Sequence, residues 1–523
     1  MSEQSRWNLR LNRRDFVKVT GSGLLAAATP VLSAYAGGAN EQPKFGGHLK
    51  VASISSSTAD TLDPGKGSLS TDYMRHHMLY NGLFRFSETL EALPELAQNC
   101  ETNDNQNWTI SLRRGIQFHN GKPLTADDVV YSLLRHKDSS YGSKVAVVAA
   151  QFEQVRKVDQ HTVSVTLREA NPDLPIMLAT SHFCIVTTNP SDAKNGVGTG
   201  PFVLEEFAPG IRTVVKKNKN YWKPNAPYLD SIELIGISDE SARVNALLSG
   251  DIHMMLAVNP RSISRVTAEG RHRIHETQSG LYSNLIMRKD LYPTQNPDFI
   301  LGMKYLTDRT LIQRALFRGH ATIANDHPVP PFHKYYANDL PIREFDLDKA
   351  KFHFKKSGAL GGRFPIFCSP AAEGSVDMAS LLQLRASEIG LNLAVNRVPS
   401  DGYWSNHWMK HPLGFGNINP RPSIDLLFSI FFKSDAPWNE SGWNSPKFDQ
   451  LLQAARYEVN EHVRKQMYTD MQTLIHEECG IGIPVFINMI DGLDTRVKGL
   501  KSIPVGGLMG YQFAEHVWWD SEA

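Results

Sequence analysis

Two periodicities share this chain of 523 residues. Short β-rich runs, Gly47-His48-Leu49-Lys50-Val51-Ala52, Trp108-Thr109-Ile110-Ser111-Leu112 and Thr162-Val163-Ser164-Val165-Thr166-Leu167, read as strands. Between and after them, apolar residues recur at helical spacing. Thr125 to Leu134 opens with a Thr N-cap and sets Asp127 and Asp128 in the first turn, where the helix dipole favours acids. Ser241 to Leu248 reads as a helix stopped by Gly250, a residue free to take the left-handed turn that ends a helix. Toward the C-terminal end, Leu451, Leu452 and Ala455 mark a helix over 448–456, and Met467, Met471, Leu474 and Ile475 another over 461–478. Strands interspersed with helices predict a mixed α/β protein with separate lobes.

One segment fits neither pattern. In Leu11 to Ala39, LNRRDFVKVTGSGLLAAATPVLSAYAGGA, an apolar run of about 15 residues is broken by Gly21, Gly23, Thr29 and Pro30, short of the roughly 20 that cross a bilayer. Read as an address, every part has a use. Arg13-Arg14 followed by Asp15-Phe16-Val17-Lys18 resembles the twin-arginine export pattern, and Val19 to Ser33 makes a mild hydrophobic region. Ala34-Tyr35-Ala36 then offers small residues at the two positions a signal peptidase reads. The expectation is a signal over residues 1–36 and a mature, periplasmic chain that starts near Gly37. No Cys lies near the cleavage point, the first being Cys100, which argues against a lipid anchor.

Charge and cysteine content narrow the partners. The whole chain is net +1 and the leader contributes +3, so the remainder is about −2 and offers nothing to nucleic acid or anionic lipid. No apolar stretch of 18 residues follows the leader. Cys100, Cys184, Cys368 and Cys479 lie too far apart in sequence for metal-ligand pairs, and spacing does not choose among their possible disulfide pairings. Enzyme signatures fail one by one. No Gly-x-Gly-x-x-Gly follows a strand, and no Cys-x-x-Cys occurs. His76 and His77 are adjacent and point apart on a helix, while His476-Glu477-Glu478-Cys479 lacks the second His of a zinc-protease helix. Asp346-Leu347-Asp348 lacks the Gly and distal Glu of a calcium loop, and no nucleophile elbow frames a serine. The expectation is no catalysis, no cofactor and no metal.

Several stretches together resemble the family 5 extracellular solute-binding proteins, the dipeptide and oligopeptide receptors of bacterial ABC importers. They are Tyr80-Asn81-Gly82-Leu83-Phe84-Arg85-Phe86, Leu93-Pro94-Glu95-Leu96-Ala97, and above all the continuous stretch Trp108 to Val129, WTISLRRGIQFHNGKPLTADDV. Gly198-Thr199-Gly200-Pro201-Phe202, Asn220-Tyr221-Trp222, Arg243 to Asp251, Asp346 to Lys351 with Ser357-Gly358, and Trp438 to Asp449 follow in the expected order. The last is similar to a subgroup with twin-arginine leaders. Trp108 and Phe118 read as core, and Gly115, Gly121 and Pro123 as turn residues. The resemblance implies an α/β, type II periplasmic-binding-protein-like fold of two hinged lobes with an extra inserted domain. Residues 37–70, 190–285 and 485–523 would form lobe 1, 71–189 the inserted domain, and 286–484 lobe 2. It also implies a monomer that closes on a small-molecule ligand and is read by permease and ATPase subunits.

Candidate ligand groups concentrate in Asp401 to Asp425, DGYWSNHWMKHPLGFGNINPRPSID. The resemblance implies an acid here for a peptide ammonium, but the matching position holds Asn417 or Asn419, with Asp425 a few residues on. Arg421 can clamp a carboxylate with two prongs, or pair with Asp425 four residues later. Tyr403, Trp404 and Trp408 precede the turn, and Trp404 and Trp408 would share a face on a helix, as a wall or as core. Trp438 and Trp443 flank a polar loop and can stack on a ligand or pack between domains. By position in the family pattern, Ser68 to Asp72, Tyr282, Ser283 and Asn284 join the list, while Arg75, His76 and His77 read as a solvated helix surface. Three functions stay open: a peptide receptor, a receptor for another carboxylated molecule such as an opine or sugar–amino-acid conjugate, and a sensory adaptor. The leader itself is testable: replacing Arg13 and Arg14 by Lys together should block export, and the exported chain should begin at Gly37 by N-terminal sequencing. Undiminished export of the Lys-Lys variant would refute the twin-arginine reading.

Overall fold

The computed structural model describes residues 42–521, so the export segment over 1–36 lies outside the described residues. The chain is mixed α/β, and its largest sheet has ten strands. Its path runs Leu413–Ile418, His272–Met287, Val485–Asp494, Met254–Met255, His48–Ser53, Ser231–Gly236, Arg212–Lys217 and Phe202–Ala208. Ala321–Ile323 and Ile481–Gly482 pair off this path. The 16-residue strand His272–Met287 pairs with both Leu413–Ile418 and Val485–Asp494. Its first part, His272 to Thr277, pairs with Asp494 to Met489, and its last part, Tyr282 to Met287, with Ile418 to Leu413. The register breaks between Thr277 and Leu281.

A second, antiparallel sheet of four strands (Ala97–Thr102, Asn107–Leu112, Thr162–Leu167, Phe152–Asp159) contains two of the expected β-rich runs. In Asn107–Leu112, Trp108, Ile110 and Leu112 are buried and alternate with more exposed residues, the period-two signature of a strand with one face on a core. The neighbouring helix, Ala126–Leu134, starts as its cap residues require: the Asp128 carboxylate accepts the Thr125 N–H at 3.1 Å and is neutralised by Lys122 at 2.5 Å. Glu240–Ser249 ends at Gly250, whose φ of 83° is left-handed. The C-terminal helical pattern becomes Pro446–Tyr457 and Glu461–Glu478. The largest apolar core joins residues as distant as Leu49, Ile110, Ile232 and Phe513, while two others draw only on residues 281–487.

The sequence landmarks meet in three dimensions. Asn81 donates to Glu95 at 3.0 Å and to the Tyr221 hydroxyl at 3.2 Å, and its carbonyl accepts from the Trp222 indole at 3.1 Å and from Thr199 at 3.2 Å. Lys223 bridges Glu95 at 2.5 Å and Glu515 at 2.8 Å. Five separate stretches thus close one buried polar network in which every charge has a partner, as buried charge requires. Burial raises the Glu95 carboxyl, and Lys223 opposes that shift. Gly198 and Gly200 let the chain pass against the backbone of Leu79: a Cβ on Gly200 would sit 2.3 Å from the Leu79 carbonyl carbon.

Two expectations are corrected here. Arg75 and His76 are buried, not a solvated surface. Arg75 lies between Asp72 at 2.8 Å and Asp60 at 3.3 Å, and burial lowers its pKa while both acids hold it up. His76 is fully buried with its ring against Thr61 O, and only His77 keeps partial exposure. The second correction concerns Arg421 and Asp425: Asp425 pairs with Arg456 at 2.7 Å instead. The four cysteines are free thiols, three of them buried. Because a side chain at 200 must displace backbone, Gly200→Ala should destabilise the chain by about 1–3 kcal/mol, read as a lower urea midpoint. An unchanged midpoint would show that the Leu79 segment yields freely.

Candidate functional site

The strand Leu413–Ile418 ends in Asn419-Pro420-Arg421-Pro422-Ser423, which leads into the helix Ile424–Phe431. Each proline fixes its own φ and biases the residue before it toward extended backbone, so Asn419 and Arg421 cannot continue into a helix. Ser423 caps the helix by accepting the Leu426 N–H at 3.0 Å, and its hydroxyl also donates to Asp173. Arg421 is left projecting from a stiff turn. Its Nη1 donates to the carbonyls of Asn419 at 3.2 Å and Pro420 at 3.3 Å, and its guanidinium lies 5.9 Å from the Phe431 ring centre. No carboxylate pairs with it among the described residues. Burial pushes its pKa down, and the titratable groups beside it, the phenols of Tyr282 and Tyr73, are themselves pushed up and stay neutral.

An aromatic line extends from that point. Phe431 lies 5.4 Å from Trp438, Trp438 lies 6.3 Å from Trp408, and Trp408 meets Trp404 edge-on at 5.7 Å. Trp404 and Trp438 are each 42% exposed, so this line presents ring surface to solvent. Only Tyr403–Asn406 is helical here, and Trp408 lies beyond it. Tyr403 is buried under Trp404 and donates its hydroxyl to the Phe415 carbonyl at 2.7 Å. On the adjacent strand, Ser283 accepts from the Asn417 amide at 2.8 Å, and Asn284 donates to Glu440 at 2.7 Å.

Glu440 is the residue that the sequence pattern does not single out. It sits in the polar loop between Trp438 and Trp443, and its other oxygen accepts the Trp408 indole N–H at 2.7 Å. No cation reaches it, so burial pushes its carboxyl up to about 7, against the pull of its two hydrogen bonds. Gly416 makes room for it, since a Cβ there would lie 2.1 Å from Glu440 Oε1. The Asn284 carbonyl, also buried, has no partner. Glu440 therefore orients the aromatic line from behind through one indole N–H.

The structure thus brings Arg421, Trp438, Trp408, Trp404, Tyr403, Asn417, Ser283 and Asn284 into one connected patch. Asn419 contributes a backbone carbonyl while its side chain is exposed. Asp425 faces Arg456, and Trp443 is 2% exposed against Phe448 in the core. Across from Arg421 stands Tyr73, on the helix Ser70–Leu79, with Tyr511 5.5 Å from its ring. Ser68 and Leu69 spend their N–H groups on Asp72, and Ser70 bonds Ser53 and Ser55 at 2.7 and 3.1 Å, so that stretch is tied to scaffold. A cavity of about 550 Å³ lies between Asn259-Pro260-Arg261 and the segment Pro370 to Asp377 with Arg397. Among the described residues no group of three His, Cys, Asp or Glu side chains could hold a metal ion.

The sequence profile of the bacterial extracellular solute-binding proteins, family 5, matches residues 91–440, about two thirds of the chain. The chain belongs to this family. A 472-residue alignment at 25% identity relates it to heme-binding protein A of Haemophilus influenzae, covering 82% of this chain and 85% of that one. The dipeptide-binding protein of Escherichia coli is also 25% identical, over 475 residues, 82% of this chain and 87% of its own. Among solved structures, the ABC transporter substrate-binding protein CtaP of Listeria monocytogenes superposes with a TM-score of 0.80. It is 21% identical, over 91% of this chain and all of CtaP, a likeness of fold alone. This is a solute-binding family, and the patch around Arg421 is where this member exposes aromatic surface beside an unpaired cation.

The Glu440 carboxyl makes this patch sensitive to pH. Its folded-state pKa, about 7, exceeds the ordinary 4.5, so the fold prefers the neutral acid. That contribution is complete below the ordinary value and is lost as pH rises through about 7, a loss of about 3 kcal/mol across the window. In Glu440→Gln the amide can donate to the unpartnered Asn284 carbonyl and still accept from Trp408. Urea unfolding should show this variant losing less stability than wild type between pH 4.5 and 8. Parallel pH profiles would refute the assignment.

Proposed function

We propose that this chain is the substrate-binding subunit of an ABC importer, carried to the periplasm by the twin-arginine route, and that it captures a peptide or peptide-like molecule bearing a carboxylate. One lobe (37–70, 190–285, 485–523) with its inserted domain (71–189) closes on the other (286–484) around the ligand. The closed monomer is then read by the permease and ATPase subunits. Closure of this kind selects one member of an open–closed equilibrium by giving the ligand extra contacts in it.

Arg421 carries the reading. A guanidinium drawn partly out of water without an acid has lost hydration and received only two backbone carbonyls in return. A bidentate carboxylate restores that loss with two parallel, charge-assisted hydrogen bonds. The exposed faces of Trp404 and Trp438 supply the apolar wall that small-ligand sites use beside a few fixed polar groups. The E. coli relative is named for dipeptides and the H. influenzae relative for heme, so family membership leaves the ligand class open.

One observation favours a second ligand class, a carboxylated molecule without a peptide ammonium, such as an opine or a sugar–amino-acid conjugate. No free acid stands beside Arg421: the Asn417 amide is committed to Ser283, and Asp425 to Arg456. A thermal-shift screen of the mature chain against di- and tripeptides, opines, glutathione and sugars separates the two classes. A true ligand stabilises by about 2.7 kcal/mol at a hundredfold excess over its Kd. For whichever compound scores, Arg421→Ala should weaken binding by about 2–5 kcal/mol by calorimetry. An unchanged Kd would remove Arg421 from the site.

A further inference from the structure

One carboxylate touches two strained loops at once. Asp491 lies in the strand Val485–Asp494 and is 1% exposed. Its Oδ1 accepts the Ala257 N–H at 3.3 Å and its Oδ2 the Leu508 N–H at 2.5 Å. Both donors are non-glycine residues in left-handed backbone: φ is 57° at Ala257 and 47° at Leu508. The second loop continues left-handed through Met509 at 63°, Gly510 at 60° and Tyr511 at 70°. Side-chain-bearing residues persist in that region only where their surroundings over-determine them.

The surroundings here are built around the carboxylate. A Cβ on Gly507 would lie 2.6 Å from Asp491 Oδ1 and 2.3 Å from Leu256 Cδ1, so the chain crosses the acid where only glycine fits. Burial pushes the Asp491 carboxyl up to about 7, and the two backbone N–H groups are what oppose this shift. An acid kept in a core without a cation costs stability. A well-packed apolar side chain would avoid that cost but could not hold two N–H groups.

The two loops lead to different places: the first to the 550 Å³ cavity, the second toward the Arg421 patch, where Pro504 and Arg421 line one small cavity. Ala257 precedes Asn259-Pro260-Arg261, one wall of the 550 Å³ cavity. Tyr511 stands 5.5 Å from Tyr73, which is close enough to Arg421 for the guanidinium to act on its phenol. We propose that Asp491 is a positioning residue for solute binding, its two oxygens setting the 257–261 and 506–511 loops together so that Arg261, at the 550 Å³ cavity, and Tyr511, beside Tyr73, keep a fixed relation. Its functional meaning rests on the cleft assignment above. The coupling itself is independent of any ligand, so a wrong choice of solute would leave it intact.

The test uses the mature chain without ligand. Hydrogen exchange is followed by mass spectrometry, and 3-fluorotyrosine labelling reports Tyr511 by ¹⁹F NMR, its resonance assigned with Tyr511→Phe. Asp491→Ala should speed exchange about tenfold in peptides covering both 256–261 and 506–512. Peptides from Asn107–Leu112 and Leu413–Ile418 should keep wild-type protection, and the Tyr511 resonance should move. Asp491→Asn keeps one acceptor oxygen and presents an N–H₂ in place of the other, so it should protect one loop and release its neighbour. Wild-type exchange in either loop of Asp491→Ala, uniform loosening of the whole chain, or an unmoved Tyr511 resonance would overturn the proposal. If the Ala variant does not fold, the Asn variant decides: identical behaviour of the two loops overturns it.

Discussion

The antiparallel pairing of His272–Met287 with Val485–Asp494 is the constraint on which the other features hang. Side chains alternate along a strand, so a slip of one residue would exchange the faces of Ser283 and Asn284. Ser283 would then lose Asn417, and Asn284 would lose Glu440. The same pairing carries Asp491 and places the Arg421 turn, since Leu413–Ile418 pairs with the last part of the long strand. The break in register between Thr277 and Leu281 is the one place along this pairing where the ladder is irregular, and Gly280 there lies against Pro330 and Pro420.

Charge distribution separates scaffold from site. Most buried charges are matched. Asp326 holds Arg309 at 2.6 Å and Arg343 at 3.5 Å, Arg75 sits between Asp60 and Asp72, and Lys223 between Glu95 and Glu515. Lys304 and Arg243, buried in the scaffold, have no ion pair and give their N–H groups to backbone carbonyls; around the aromatic patch and the long strand pair, Arg421, Glu440 and Asp491 are likewise not matched among the described residues. Each of these three costs desolvation that no opposite charge returns, and each touches the cleft or the elements that shape it. Arg421 faces outward from a turn, where a ligand can supply the missing charge. Glu440 and Asp491 face inward and spend their oxygens on N–H groups that orient Trp408 and the two left-handed loops.

Local signals were legible in the amino-acid order wherever a few neighbouring residues decide the outcome. Thr125 and Asp128 cap a helix by themselves, Gly250 ends one, and alternation of Trp108, Ile110 and Leu112 makes a strand whatever lies across from it. The landmarks that made family membership legible include residues that meet in one buried network: Asn81, Glu95, Thr199 and Tyr221-Trp222. Arg75 was misread because an arginine beside two histidines looks solvated until Asp60, 15 residues earlier in the chain, is seen to fold against it.

The sequence by itself therefore determined the fold class, the element types and a short region rich in ligand chemistry, because periodicity, caps and turns act over a few residues. Only the tertiary structure decided which of those groups is free to bind. Asp425 lay within reach of Arg421 along the chain, yet Arg456 claims it from 31 residues away, and Trp443 went to the core while Trp438 stayed exposed. Pairing of a charge or burial of a ring is settled by what the rest of the chain brings alongside. That contest between distant partners left Arg421 without a carboxylate among the described residues.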